Sequence, residues 1–313
     1  MHADQITTDV DLVRRLLRVQ FPQWAGLAIE PIASDGTDNA IYRLGDHMAV
    51  RLPLGQGPAK IEQISKEHEW LPKFAALLPL SIPVPLAKGE PAAGYPGPWT
   101  VCEWLEGENA TLDRLADPVM AATELAHFIG ALQRIDPTSG PAPGVHNFFR
   151  GVPLARRDSM TRDAIAGCAG LIDTDAVASA WETDLRAPPW EEPPVWIHGD
   201  LAPGNLLAVD GRLAGVIDWG GLGVGDPAIE MLPAWNLFLG ESRAAFRAAL
   251  SVDDATWARG RGLALSQALV ALPYYLETNP AIVRWARHMI HEVLEDHARG
   301  GRPVGPDRTS GSR

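Results

Sequence analysis

Residues 195–219, VWIHGDLAPGNLLAVDGRLAGVIDW, constrain the fold more than any other stretch of the chain. Two short apolar runs, NLLAV (205–209) and LAGVI (213–217), are separated by DGR, and a third, VWI, leads into them through a loop of Pro and Gly. Apolar runs this short, bounded by turn residues, read as strands. Paired as a hairpin around DGR, they bring Asn205 at its entrance and Asp218 at its exit to the same end, beside the loop that carries His198 and Asp200. Asn and Asp oxygens gathered in this way suit a hard divalent ion such as Mg²⁺, which takes one or two protein ligands and completes its shell with phosphates and water. A second carboxylate beside that ion can accept the proton of a hydroxyl, the division of labour that phosphoryl transfer requires.

The rest of the chain must supply a scaffold for that loop. Its 313 residues exceed the ~100–150 typical of one domain, so two packed units are expected. Lys and Arg number 27 against 39 Asp and Glu, a net charge of −12 that disfavours a nucleic-acid partner and favours neutral or cationic small molecules. Cys102 and Cys168 stand in no metal-ligand spacing and form no disulfide framework. No run of 18 apolar residues occurs, so neither a signal peptide nor a membrane span is expected, and the protein is read as cytoplasmic, a monomer or homodimer.

Along the chain, Val10, Val13, Leu16 and Leu17 make a helical stripe that Thr8 or Asp9 can cap. LAIEPIA (27–33), AIYRLG (40–45) and HMAVRLP (47–53) then read as an antiparallel meander, and 59–78 returns to helical periodicity. SIPVPLAKG (81–89) and WTVCEWLEGE (99–108) are further strands, after which helical patterns dominate. The reading is α+β, a sheet-rich first third followed by a mainly helical remainder.

His198-x-Asp200-x-x-x-x-Asn205 followed by IDW at 217–219 resembles the antibiotic phosphotransferase (aminoglycoside-phosphotransferase-like) branch of the protein-kinase-like fold. The resemblance implies a two-lobe fold with a small antiparallel-sheet N-lobe (1–102), a linker (103–107), a mainly helical C-lobe (108–298) and a disordered tail (299–313). It implies ATP or GTP and Mg²⁺ as cofactors, Asp200 as catalytic base, Asn205 and Asp218 as Mg²⁺ ligands, and His198 as a brace for the loop. Ser34, Gly36 and Thr37 fall where a loop covers the phosphates. Arg51 replaces the lysine such a fold places on its third strand; as a planar fork it keeps the charge and changes the geometry. For the carboxylate that pairs with it, Glu67 is preferred, one turn before Leu71 and Phe74 on the inward helix face, with Glu69 close behind. The carbonyl of Glu103 and the amide of Leu105 would read adenine.

By the same resemblance Asp226 would support the catalytic loop, while Glu230 would either cap or line the acceptor side. The acceptor is expected to be a hydroxylated small molecule, with an aminoglycoside-type antibiotic first and a macrolide, peptide antibiotic, sugar or amino alcohol as alternatives. Glu230, Glu277, Glu292 and Asp296 offer themselves to ammonium groups; Trp235, Phe238, Tyr274 and Tyr275 would suit a more apolar acceptor. A non-catalytic nucleotide-binding protein of the same fold is the competing class. GVGDPA (223–228) matches a dinucleotide fingerprint without the βαβ unit that gives it meaning. His288, His291 and His297 do not form H-E-x-x-H, and no G-x-x-x-x-G-K-[ST] loop is present.

Overall fold

The computed structural model describes residues 6–32, 38–55 and 57–300, and begins with helix α1 (Val10–Gln20), whose first turn is closed by the Asp9 carboxylate accepting the Leu12 N–H at 2.6 Å. Ser34, Gly36 and Thr37 lie outside the described residues. The inward face of α1, Leu12, Val13, Leu16 and Leu17, packs with Tyr42, Leu44, Val50, Leu52, Trp99 and Val101 into one hydrophobic core. Those partners belong to a five-stranded antiparallel sheet of β1 (Ile29–Ile32), β2 (Asn39–Leu44), β3 (Met48–Pro53), β4 (Pro85–Gly89) and β5 (Trp99–Glu103) in the order β1-β2-β3-β5-β4. Helix α2 (Pro58–Phe74) crosses between β3 and β4. Of the run expected to pair from 81, only Pro85–Gly89 does so. Pro83 and Pro85 have no N–H to give a ladder, and Ser81 instead bridges in parallel to Gly215 in the second half of the chain.

Beyond Glu103 the chain leaves the sheet, and β6 (Glu108–Asn109) pairs with the site hairpin. Helices α3 (Pro118–Gln133), α4 (Asp158–Gly167) and α5 (Thr174–Leu185) follow, then β7 (Val195–Ile197), β8 (Leu206–Val209), β9 (Arg212–Val216) and β10 (Gly223–Gly225). The chain closes with α6 (Pro233–Asn236), α7 (Gly240–Leu250), α8 (Asp254–Tyr275) and α9 (Pro280–Gly300). Arg299 and Gly300, expected in the tail, continue α9, with Arg299 paired to Glu295 one turn back; residues 301–313 lie outside the described residues. Helix α3 packs on α7, and α4, α5 and α9 pack on α8, around a second core that includes Trp181, Trp196, Trp219 and Trp235. At roughly 25 cal/mol per Å² of apolar surface removed from water, such buried aromatics dominate the stability of this half. The architecture is the two-lobe, kinase-like arrangement. No helix among the described residues is long and apolar enough to cross a membrane.

Candidate active site

The hairpin β8–β9 turns on Asp210 and Gly211, both at positive φ (48° and 77°), which matches the twist of the two strands. Leu206 pairs with Val216, and the Ile217 N–H donates to the Asn205 carbonyl at 2.9 Å, so Asn205 and Asp218 do stand at one end. The preceding loop is pinned from β7, which pairs antiparallel with β10. Glycine is required where the two loops meet. A Cβ on Gly199, at φ +82°, would lie 2.8 Å from the Gly221 carbonyl oxygen, and one on Gly221 would lie 2.6 Å from that of His198. The second apolar run of GVGDPA is thus an edge of this small sheet, with no crossover helix behind it.

His198 is fully buried with its ring against Trp219; its Nε2 donates to the Ile217 carbonyl at 3.0 Å, and its Nδ1 accepts the Asp200 N–H at 3.2 Å. Burial lowers its pKa, so the ring is neutral. The Asp200 carboxylate opens on the cleft with both oxygens steered. Arg150 Nη2 is 3.4 Å from Oδ1, and Asn205 Nδ2 donates to Oδ2 at 3.1 Å as well as to the Asp200 carbonyl at 2.9 Å. With its amide nitrogen committed in this way, Asn205 keeps Oδ1 for a cation. Asp218, at φ 60°, lines the same cleft and makes no ion pair among the described residues. The described residues contain no group of three His, Cys, Asp or Glu able to hold a metal unaided. An Asn–Asp pair beside a phosphate site fits Mg²⁺, which leaves most of its coordination to phosphate and water.

Arg51 on β3 meets Glu67 on α2 in a two-point contact, Nη1 to Oε2 at 2.8 Å and Nη2 to Oε1 at 3.4 Å. Burial opposes the Arg51 charge, yet Glu67 and Asp218 outweigh it and hold the pKa above its usual value. Glu69 faces water and Lys73 instead. Next to Glu67 the sequence conceals a buried lysine. Lys66 Nζ donates to the carbonyls of Gly220 (2.8 Å), Leu222 (2.7 Å) and His146 (3.2 Å), and lies 3.1 Å from His146 Nδ1. His146 Nε2 is 2.9 Å from the Ala142 carbonyl and therefore carries the ring proton, leaving Nδ1 to accept. Burial pulls Lys66 down to about 8, against the charges of Glu67 and Glu62.

Around these groups runs a cleft of about 1190 Å³, large for a single drug-sized ligand. One end is lined by Ile32, Ala49, Leu207 and Ile217 and by the strand exit Glu103–Leu105; the other is lined by one face of α8, at Gln267, Val270, Ala271 and Tyr274, and by Ile282 and Trp285 of α9. Tyr275 also reaches it.

Several expected residues stand elsewhere. Asp226 does not touch the catalytic loop with its side chain; it caps Ala228 and forms a buried pair with Arg259 of α8 at 2.8 Å. Glu230 takes the bracing role. Fully buried, it accepts the Gly199 N–H at 2.8 Å, and burial raises its pKa to about 7. Trp235 and Phe238 are fully buried in the helical core rather than on the cleft, because α6 packs between α7, α8 and α9. Glu277 is exposed and outside the lining, Glu292 is paired with Arg243, and Asp296 with Arg261. Of the expected acceptor contacts, Tyr274 lines the cleft. Arg150 and Arg157 line it too, and no periodicity around them marks them as site residues.

Comparison with known proteins bears on the family and the fold. The family model described as "Phosphotransferase enzyme family" matches residues 28–263. An aminoglycoside 3'-phosphotransferase of Escherichia coli is 34% identical over 77 residues, a match that spans 22% of this chain and only 28% of that enzyme. Among solved structures, the GDP complex of wild-type aminoglycoside 2'-phosphotransferase-IIIa superposes with a TM-score of 0.69 at 16% identity, covering 93% of this chain and all of the other. The GDP and kanamycin complex of APH(2")-IIia gives 0.68 at 20%, covering 92% and 98%. The macrolide 2'-phosphotransferase MphH from Brachybacterium faecium gives 0.59 at 20%, covering 90% and 97%. At such identities the structural likeness speaks for the fold.

Proposed function

The chain belongs to the phosphotransferase enzyme family, and from that premise we propose that it transfers the γ-phosphoryl group of ATP or GTP, with Mg²⁺, to a hydroxyl of an antibiotic-type small molecule. The names of the relatives above give aminoglycosides and macrolides as their acceptors, which supports a hydroxylated antibiotic-type small molecule without choosing among them. The observation that carries the reading is the convergence of Asp200, Asn205 and Asp218 on a cleft that reaches from the strand exit at Glu103 to α8 and α9. In this reading 103–107 is the linker between a nucleotide-binding lobe (1–102) and an acceptor-binding lobe (108–298).

Ala49 and Ile217, with the backbone of Glu103 and Leu105, line the end of the cleft that would take the base of the nucleotide, and Arg51, fixed by Glu67, would hold its phosphates. Asn205 Oδ1 and the Asp218 carboxylate would hold Mg²⁺, which would supply charge neutralisation at the phosphates. Asp200 orients the acceptor hydroxyl and takes its proton as the oxygen attacks phosphorus. Arg150 and Asn205 keep its carboxylate aimed, and Glu230 and His198 keep its loop still. Positioning and electrostatics of this sort account for most of phosphoryl-transfer catalysis.

The test is nucleotide consumption with Mg²⁺ over a panel of aminoglycosides, macrolides and amino alcohols, for the wild type and Asp200→Ala. Acceptor-dependent turnover that falls at least ~10²-fold in the variant, a usual loss for a general base, is the expected result. Thermal stabilisation by Mg·ATP without turnover on any acceptor would favour a non-catalytic nucleotide-binding protein.

A further inference from the structure

We propose that the acceptor half of the cleft is built for a hydroxylated molecule with a large apolar body and one anionic group, held by Arg157, rather than for a polycation. This deepens the phosphotransferase reading and rests on it. The walls are apolar, formed by Val270, Ala271 and Tyr274 of α8 and Ile282 and Trp285 of α9. Outside the sheet and the strand exit, the charged residues lining the cleft are Arg114, which pairs with Glu108, and Arg150, Arg157, Asp200 and Asp218. Of the acidic side chains expected to receive ammonium groups, Glu292 is engaged by Arg243, Asp296 by Arg261 and Glu230 by the Gly199 N–H, and Glu277 is exposed outside the lining.

Arg157 is half-buried and donates through Nε to Ser266 Oγ at 2.9 Å; it has no carboxylate partner among the described residues. Arg150, by contrast, shares the Asp200 carboxylate. Desolvation and the Arg150 charge pull Arg157 down to about 10, which leaves it cationic at neutral pH. A partly desolvated cation without a counter-charge is costly, and an anion on the ligand offsets that cost with charge-assisted hydrogen bonds. Two further groups on the lining await a polar partner. Asn236 is 5% exposed and donates to the Leu201 carbonyl at 3.0 Å, while its Oδ1 has no hydrogen bond; Gln267 Nε2 is also buried without one. They provide one acceptor and one donor for the oxygens of a ligand whose remaining surface is apolar.

The test uses 1-anilinonaphthalene-8-sulfonate and its uncharged isostere N-phenyl-1-naphthylamine as probes, with the nucleotide end occupied by a non-hydrolysable Mg·ATP analogue. The sulfonate should bind with a Kd about tenfold or more below that of the neutral probe. Arg157→Gln, shown to be folded by its melting profile, should bring the two within about twofold, and Arg157→Lys should restore part of the difference. Kanamycin should bind more weakly than the sulfonate. Equal probe affinities in the wild type, a preference that survives Arg157→Gln, or tighter binding of kanamycin overturns the acceptor assignment alone. An analogue that gives no magnesium-dependent thermal shift overturns the phosphotransferase reading, and this one with it.

Discussion

Glu230 and His198 are both fully buried beside the catalytic loop, and they respond to pH in opposite senses. Burial raises Glu230 from 4.5 to about 7, so the native state binds its proton more readily than the unfolded chain. The stability this gives is complete below pH 4.5 and is lost as pH rises to 7; the difference corresponds to roughly 3 kcal/mol. His198 is lowered from 6.5, so its contribution is present above 6.5 and lost as pH falls. Between 4.5 and 6.5 the two slopes oppose each other. Glu230→Gln should therefore leave the His198 slope uncovered. Relative to wild type, the variant should gain stability from pH 5 to pH 7.5, as read from urea midpoints, and its own stability should fall below 6.5. Parallel pH profiles for the two proteins would refute this account. At this scale Asp200, Asn205 and Asp218 were legible, because polar residues between apolar runs have few structural reasons to be there. Glu230 was legible as a residue but not as a brace, since nothing in GDPAIE says which carboxylate turns inward and which meets Arg259.

Among elements, the β8–β9 hairpin could be read as a pairing around DGR but not in its register, because a bulge between Leu207 and Ala208 shifts the partners so that Leu206 meets Val216. Helix α2 was legible on one face only. Its spacing picked Glu67 over Glu69, and the structure puts Glu67 on Arg51 and Glu69 on Lys73. Glu67→Gln should raise the KM for Mg·ATP about tenfold, because a charge-assisted two-point contact worth ~1.5–3 kcal/mol no longer holds Arg51 in place. Glu69→Gln should change it less than twofold, as expected of an exposed helix pair; steady-state kinetics with varied nucleotide separate the two, and equal effects would sink the assignment. Lys66 escaped notice because a lysine on a helix reads as solvated, and only the tertiary fold supplies three carbonyls to bury it. Arg150 and Arg157 lie in a stretch after HNFF with no period to follow, and they join the site through packing alone.

Across the whole molecule, the proposed nucleotide site draws on both halves: Arg51 and Glu67 stand on the sheet and α2, while Asn205 and Asp218 stand on the helical half. A ligand that binds only the native state at 100 times its Kd adds about 2.7 kcal/mol. Melting of the wild type with ATP should therefore shift upward, and more so with Mg²⁺ than with EDTA. Asp218→Asn should lose that magnesium-dependent part, and an unchanged difference would remove Asp218 from the metal site. The two cores do not divide where the periodicity changes near residue 110, because Trp70, Leu71 and Phe74 of α2 pack into the second core. The charge of the acceptor end was not legible, because a net −12 says how many carboxylates there are and nothing about where they are spent.

Lys66 joins α2 to the segment after Asp218 by gripping main-chain oxygens of Gly220 and Leu222. Every residue type carries that oxygen, so substitutions at 220 and 222 that keep the backbone path leave the grip intact. The robustness is one-sided: this polar grip does not depend on which side chains stand at 220 and 222, yet it is lost with one ammonium group.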